Sequence, residues 1–191
     1  MHTLISSRIR RIACLATVLI VGQMILGLPA LAADTVIQQL SGGNRTATIT
    51  DANMSGLTYS HEAQTNDHNL TLTVSDASGT GEGWNVTVQA SNFIYSGIYN
   101  GSDINASEFE ITTANSPQYN SGQAIDGSNG PKVPAANATG SLDVARKVLQ
   151  ANAGYGQGSY SQTLAVRLTV PPMARVGTYT SSLTVTIGAG P

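Results

Sequence analysis

Apolar and polar residues alternate over several short stretches, and this period of two limits the fold more than any other feature of the chain. Residues 70–74 and 84–90 both follow it, with a Gly-rich segment between them. Side chains two positions apart lie on the same face of a strand, so Trp84, the one tryptophan, shares a face with Val86. The pattern predicts a β-hairpin with one apolar face.

A second pair of alternating runs occupies residues 164–170 and 179–187, with Pro171 and Pro172 between them. Proline lacks a backbone donor, so these two residues must end a strand and begin a turn. Residues 147–152 are predicted as a strand and not a helix, because their apolar stripe is short and glycines follow it closely. Repeated short strands separated by turns predict an all-β fold, an antiparallel β-sandwich with Greek-key-like connections and little or no helix in the mature chain.

Shorter patterns predict further strands near the start of the mature chain and in its middle. Residues 36–37 and 45–50 are expected to form two short strands joined through a Ser-Gly-Gly-Asn turn. Inward-pointing apolar residues are predicted on two other short strands, Leu57 and Tyr59 on one, Phe109 and Ile111 on the other.

The first 32 residues are predicted to be a secretory signal peptide. Three arginines within residues 8–11 precede an apolar run at residues 13–28, and Ala30-Leu31-Ala32 then gives the small-x-small pattern of a cleavage site. An uncleaved membrane anchor is the alternative, but no stop-transfer charges follow the run. Cys14, the single cysteine, lies inside this segment, so the mature protein is expected to have no disulfide, no lipid anchor and no membrane span. Residues 33–191 are predicted to form one domain.

The charge of the chain argues against nucleic acid as a partner. Three of the nine Lys and Arg residues lie in the predicted signal, whereas all eleven Asp and Glu residues follow it, so the mature chain has a net charge of −5. Its basic residues are scattered and not clustered on one stretch. Nucleic-acid binding needs clustered Lys and Arg, so no such partner is expected.

Few residues of the mature chain could carry catalysis or hold a metal. Only His61 and His68 remain, and their spacing of seven fits neither one strand face nor a common metal motif. Glu108 and Glu110 are expected on a solvated outer face, not as a glycosidase pair. Residues 76–82 have alternating oxygen ligands but lack the acidic density of a calcium loop. We therefore expect no enzymatic activity, no metal site and no cofactor.

Three separated blocks of the sequence resemble the WxL domain family of bacterial cell-surface proteins. The first runs from Leu70-x-Leu72-x-Val74-x-Asp76 through Gly81-Glu82-Gly83-Trp84-Asn85-Val86 to Phe93; the others are Gly154-x-Gly156-x-Gly158 and residues 177–187. The resemblance implies a secreted all-β protein that binds the cell wall non-covalently through peptidoglycan or another wall polymer, often with other surface proteins as partners. Two departures are Val86 in place of leucine and Val185-Thr186-Ile187, which has no tryptophan.

The resemblance and the aromatic content together suggest candidate residues for wall contact. Trp84 has two open interpretations, a core tryptophan of the sandwich or an aromatic that stacks on sugar rings or peptide stems. The candidate wall-binding residues are Trp84, Val86, Tyr95, Tyr99, Tyr155 and Tyr179.

Two functions from different classes follow. The first is a non-enzymatic, secreted protein attached to the cell surface through the wall. The alternative is a structural subunit of a surface layer or fibre that assembles by β-strand pairing, because residues 178–187 are Thr-rich and uncharged and would be open to pairing at a sheet edge.

Overall fold

The strands fall into two main antiparallel sheets and one small two-stranded sheet. The computed structural model describes residues 37–191, of which residues 40–191 form one compact unit. The strands are β1 (Arg45–Ile49), β2 (Gln64–Asp76), β3 (Trp84–Ala90), β4 (Ile94–Ser96), β5 (Phe109–Ala114), β6 (Gln118–Gly122), β7 (Gly140–Ser141), β8 (Arg146–Ala151), β9 (Gly158–Val170), β10 (Thr178–Thr180) and β11 (Leu183–Ala189). A single 3-10 turn, Ala106–Glu108, is the only helical element among the described residues.

The larger sheet has the order β1-β2-β9-β5-β7, with β6 also paired to β9. The second has the order β11-β3-β8, and β4 pairs with β10 in the small sheet. The apolar faces of the two main sheets form one buried core. The prediction of an all-β antiparallel sandwich is therefore confirmed.

The core follows the alternation of the sequence. On β2, Leu70, Leu72 and Val74 are buried while the threonines between them are exposed. Trp84 and Val86 on β3 are completely buried in the same core. Burial of each such Val or Leu side chain contributes roughly 1.5–3 kcal/mol, so the alternating runs supply the main driving force for folding.

The predicted hairpins are wrong in their pairing, although the strands themselves are present. β2 pairs with β1 and β9, whereas β3 pairs with β11 and β8, so residues 70–74 and 84–90 lie in opposite sheets. The C-terminal runs are separated likewise, since β9 belongs to the larger sheet, β11 to the smaller one and β10 to the two-stranded one. Alternation fixes which face of a strand is apolar but not its neighbour, and two apolar faces are buried equally well across a sandwich.

Several short predictions have mixed outcomes. The strands at residues 147–152 and around Phe109 are confirmed as β8 and β5. β1 is present, but it pairs with β2 and not with residues 36–37; Ile37 lies outside any strand, and Val36 lies outside the described residues. The strand at Leu57 and Tyr59 is wrong, because both side chains are exposed in an irregular segment.

Within residues 37–191, no helix is long and apolar enough to cross a membrane. The predicted signal peptide and Cys14 lie outside the described residues.

Candidate functional site

Trp84 is fixed inside the core by a motif that is distant in sequence. It begins β3, is completely buried and lies 6.3 Å from the ring of Tyr160, measured between centroids. The indole Nε1 donates a hydrogen bond of 2.9 Å to the carbonyl oxygen of Gly156. The Trp84 block and the Gly154–Gly158 block therefore meet in space and form one structural unit.

Two glycines make room for that unit. A Cβ at Gly156 would lie 2.7 Å from Trp84 Nε1 and 2.5 Å from the Ala151 Cβ, and its φ of +80° also favours glycine. At Gly83, where φ is +74°, a Cβ would lie 2.5 Å from the Ala151 carbonyl oxygen. These glycines allow the backbone to close around the indole, so this part of the motif is built for packing.

Val86 and Tyr155 complete this end of the sandwich. Val86 is fully buried on β3 opposite Ile187 of β11 and Leu149 of β8. Tyr155 lies in the turn after β8, partly buried, with its N–H donating to the Asn152 carbonyl oxygen at 3.0 Å. The structure places Trp84 and Val86 away from solvent, which favours the core interpretation of Trp84.

Tyr95 and Tyr179 meet at the opposite end of β3. They are direct partners on β4 and β10, and their ring centroids are 5.3 Å apart. The Tyr95 hydroxyl donates to the Val176 carbonyl oxygen at 3.0 Å and accepts a hydrogen bond of 3.2 Å from the Tyr99 N–H. The structure therefore brings together three of the six predicted residues. The six steps from Trp84 to Ala90 separate the two groups by roughly 20 Å.

The tyrosine pair is held rigidly. Gly97, Gly101 and Gly177 pack against the Tyr95 ring so closely that a Cβ at any of them would overlap it. Tyr179 donates its hydroxyl to the Arg175 carbonyl oxygen at 2.7 Å. Burial raises the pKa of Tyr179 above its ordinary value.

Exposed apolar side chains surround this pair. Ile98 is 86% exposed and Tyr99 58%, and Ile94 and Val176 are also more than half exposed. We call this region, residues 94–99 and 175–179, the tyrosine surface. Residues 92–103, which include β4 and the first part of this surface, are rich in Tyr, Ser, Gly and Asn, a composition that antibody loops use for contact with varied ligands.

A groove opens beside the core, and its lining includes residues that directly follow the tyrosine surface in the chain. Its volume is about 490 Å³, within the range of ligand-binding pockets. Leu70, Phe93, Phe109 and Val166 line it from the core, and stretches of residues 49–54 and 180–185 form its sides. Thr180 to Ser182 join it to β10, so the groove and the tyrosine surface are continuous along the chain.

A comparison with protein-family models shows to which family the chain belongs. A family model described as the WxL domain, surface cell wall-binding, matches residues 36–191. The chain belongs to the WxL domain family. No curated protein and no solved structure matches the chain. The WxL match makes this a cell-surface domain of a cell wall-binding family, and it includes both ends of the sandwich described above.

The site predicted for this WxL domain included the tyrosines of this surface but not their apolar neighbours. Ile94, Ile98 and Val176 were absent from the predicted site. For Ile94 and Ile98 the available signal was their place among Gly, Asn, Ser and Tyr residues, because such a segment has little core to bury them in. Val176 lies in the separate turn at residues 171–177, where the composition gives no such signal. Among the described residues, no group of His, Cys, Asp and Glu could hold a metal ion.

Proposed function

We propose that this WxL domain is an exported, non-catalytic protein that holds non-covalently to peptidoglycan through the tyrosine surface. The observation that carries the proposal is the meeting of Tyr95, Tyr99 and Tyr179 among exposed isoleucines at one end of the sandwich. Export rests on the predicted signal peptide at residues 1–32. The family resemblance also implies other surface proteins as partners.

The tyrosine surface offers a ligand apolar faces and hydrogen bonds more than charge. Tyrosine offers a large apolar face at low conformational cost and a hydroxyl for hydrogen bonding, so it can pack on sugar rings or on short peptides. The tyrosine surface contains one charged residue, Arg175. Its ligand is therefore recognised mainly through apolar and hydrogen-bonding contacts, and we expect wall binding to change little with salt.

Two carboxylates of the domain, Asp67 and Asp126, agree with the non-catalytic part of the proposal. The Arg167 side chain donates hydrogen bonds to Asp67 and lowers its pKa, and backbone N–H groups of Asn129 and Ser128 lower the pKa of Asp126. A general acid at neutral pH needs the opposite change, a raised carboxyl pKa. These two carboxylates are thus stabilised in the ionised form, as structural groups are.

Co-sedimentation with purified peptidoglycan tests the proposal. We expect the chain starting at Ala33 to sediment with the polymer and Tyr99→Ala to reduce the bound fraction at least fivefold. Tyr119→Ala is the matched control, because Tyr119 is 51% exposed on β6, outside the tyrosine surface.

Equal binding by wild type and Tyr99→Ala, with both folded by circular dichroism, would refute the assignment of this surface. Failure of the wild type to sediment at any salt concentration would refute the proposed function as a whole.

A further inference from the structure

β11 is an open edge of the smaller sheet. The sheet order is β11-β3-β8, and β3 is the one strand that pairs with β11 among the described residues. The seven residues of β11 include no charge and no proline, and the pairing with β3 runs without a bulge. Lysines, prolines and bulges are the usual means by which proteins block strand edges, and this edge has none of them.

The hydrogen bonds at the two ends of β11 show which backbone groups point outwards. Just before β11, the Ser182 carbonyl oxygen accepts a hydrogen bond from the N–H of Ser91, which directly follows β3. Just after β11, the Gly190 N–H donates one to the carbonyl oxygen of Gly83, which directly precedes β3. Bonding direction alternates along an antiparallel strand, so the even-numbered residues of β11 bond towards β3. The N–H and C=O groups of Leu183, Val185 and Ile187 therefore point away from the sheet.

The bonding of β3 agrees with this assignment. Ala90 is paired with Leu183, but its N–H donates to the Leu142 carbonyl oxygen at 2.8 Å, away from β11. Residues 90 and 183 are therefore a pair without mutual hydrogen bonds, as the alternation requires.

The sequence of this edge is symmetric about Val185. Reading outwards from Val185, threonine stands on both sides, at 184 and 186, and a large aliphatic residue follows on both sides, Leu183 and Ile187. In an antiparallel pair of two such strands with Val185 opposite its own copy, Leu183 faces Ile187 of the second copy and Thr184 faces its Thr186. Apolar pairs and Thr–Thr pairs are both favourable across strands.

We propose that two copies of this chain pair through β11 about a two-fold axis at Val185. The register places the outward groups of Leu183, Val185 and Ile187 opposite those of the second copy, so the unpaired donors and acceptors of both edges are satisfied together. The two smaller sheets then join into one six-stranded sheet. Such a contact is the same on both copies and closes on itself, so it gives a dimer and not a fibre.

The apolar side chains near the edge gain from this contact. Leu183, Val185 and Ile187 pack against the core but are only partly buried, as are Ala47 and Ile49 of β1, which lies against β11. A second β11 extends the same apolar face and covers the open side of these residues. Because both copies carry a net negative charge, the dimer is expected to strengthen with salt, which screens their repulsion.

Sedimentation equilibrium over a dilution series tests the dimer. The wild-type chain from Ala33 is expected at twice the monomer mass, and Thr184→Lys with Thr186→Lys should weaken the dimer at least tenfold by setting like charges opposite each other. The matched control is Thr71→Lys with Thr73→Lys, an equally spaced exposed pair on β2, which is an inner strand of the larger sheet between β1 and β9. A wild type that stays monomeric at every concentration would overturn the proposal.

Cysteine pairing tests the register independently of mass. Thr184 and Thr186 of opposite copies form a pair with Cα atoms about 4.5 Å apart, within reach of a disulfide. We expect an oxidised mixture of Thr184→Cys and Thr186→Cys chains to give a disulfide-linked dimer. Each variant oxidised alone should give at least tenfold less of this linked dimer. Equal linking in all three samples, or none in the mixture, would contradict the two-fold register.

Discussion

Replacing Trp84 by phenylalanine separates packing from wall contact. The ring that remains is still aromatic and apolar, but the bond from Nε1 to the Gly156 carbonyl oxygen, 2.9 Å long, is lost. Both residues are buried, so water does not readily replace the missing donor. The change therefore acts on the folded core and leaves the tyrosine surface, about 20 Å away, untouched.

The expected cost follows from two contributions. A buried acceptor without its donor costs about 1–3 kcal/mol. The smaller ring leaves a void of roughly 40 Å³, which adds about 1 kcal/mol at about 24 cal/mol per Å³. The free energy of unfolding should thus fall by about 2–4 kcal/mol, and Tm by about 4–16 °C for a domain of this size.

Urea denaturation monitored by circular dichroism measures this loss. We expect a lower midpoint with an unchanged slope, and unchanged peptidoglycan binding per folded molecule at low temperature. Tyr119→Phe is the control, since it removes an exposed hydroxyl that donates to the Gly122 carbonyl oxygen at 3.2 Å and should cost little. Full stability of Trp84→Phe would refute the role of Trp84 in the core. A folded variant that loses wall binding would refute the claim that Trp84 does not contact the wall.

Two further predictions concern the glycine motif and pH. Gly156→Ala should destabilise the domain by at least as much as Trp84→Phe, because the new Cβ would overlap Trp84 and Ala151, and thermal melting measures this loss. Gly154→Ala is the control: its Cβ meets open space at a similar φ of +83°, so it shows the cost of backbone strain without overlap. Asp126→Asn should lower stability at neutral pH, because the folded state depresses the pKa of Asp126. That stabilisation is present above the ordinary aspartate pKa of 3.8 and is lost as pH falls through the folded value, so the gap between wild type and variant should close in acid urea titrations. If the difference in free energy of unfolding between wild type and Asp126→Asn stayed constant with pH, the depressed pKa of Asp126 would not be its cause.

The alternation of the longer apolar runs was enough to predict their strands and their buried faces. Leu70, Leu72 and Val74 on β2 are buried as expected, because side-chain direction in a strand depends only on the period of two. Strand neighbours were not predictable in this way. The seven residues between β2 and β3 are compatible with a hairpin loop or with a crossing between sheets, and the choice depends on partners far along the chain, such as β9 and β11.

The candidate site was only partly predictable for the same reason. Tyr95 and Tyr179 are 84 positions apart and meet only because β4 pairs with β10, two strands of three residues that carry almost no periodic signal. Trp84 lies in a clear motif, but a motif does not distinguish a buried indole from an exposed one. Its partner, the Gly156 carbonyl oxygen, is a backbone atom and leaves no mark of its own in the residue pattern.

Hydrogen–deuterium exchange with soluble peptidoglycan fragments is the most direct test of where the wall is bound. We expect slower exchange on binding in residues 93–103 and 173–182, which contain the tyrosine surface and part of one side of the groove, and no change around Trp84. Protection confined to residues 81–90 and 152–158, with the tyrosine surface unaffected, would contradict this expectation.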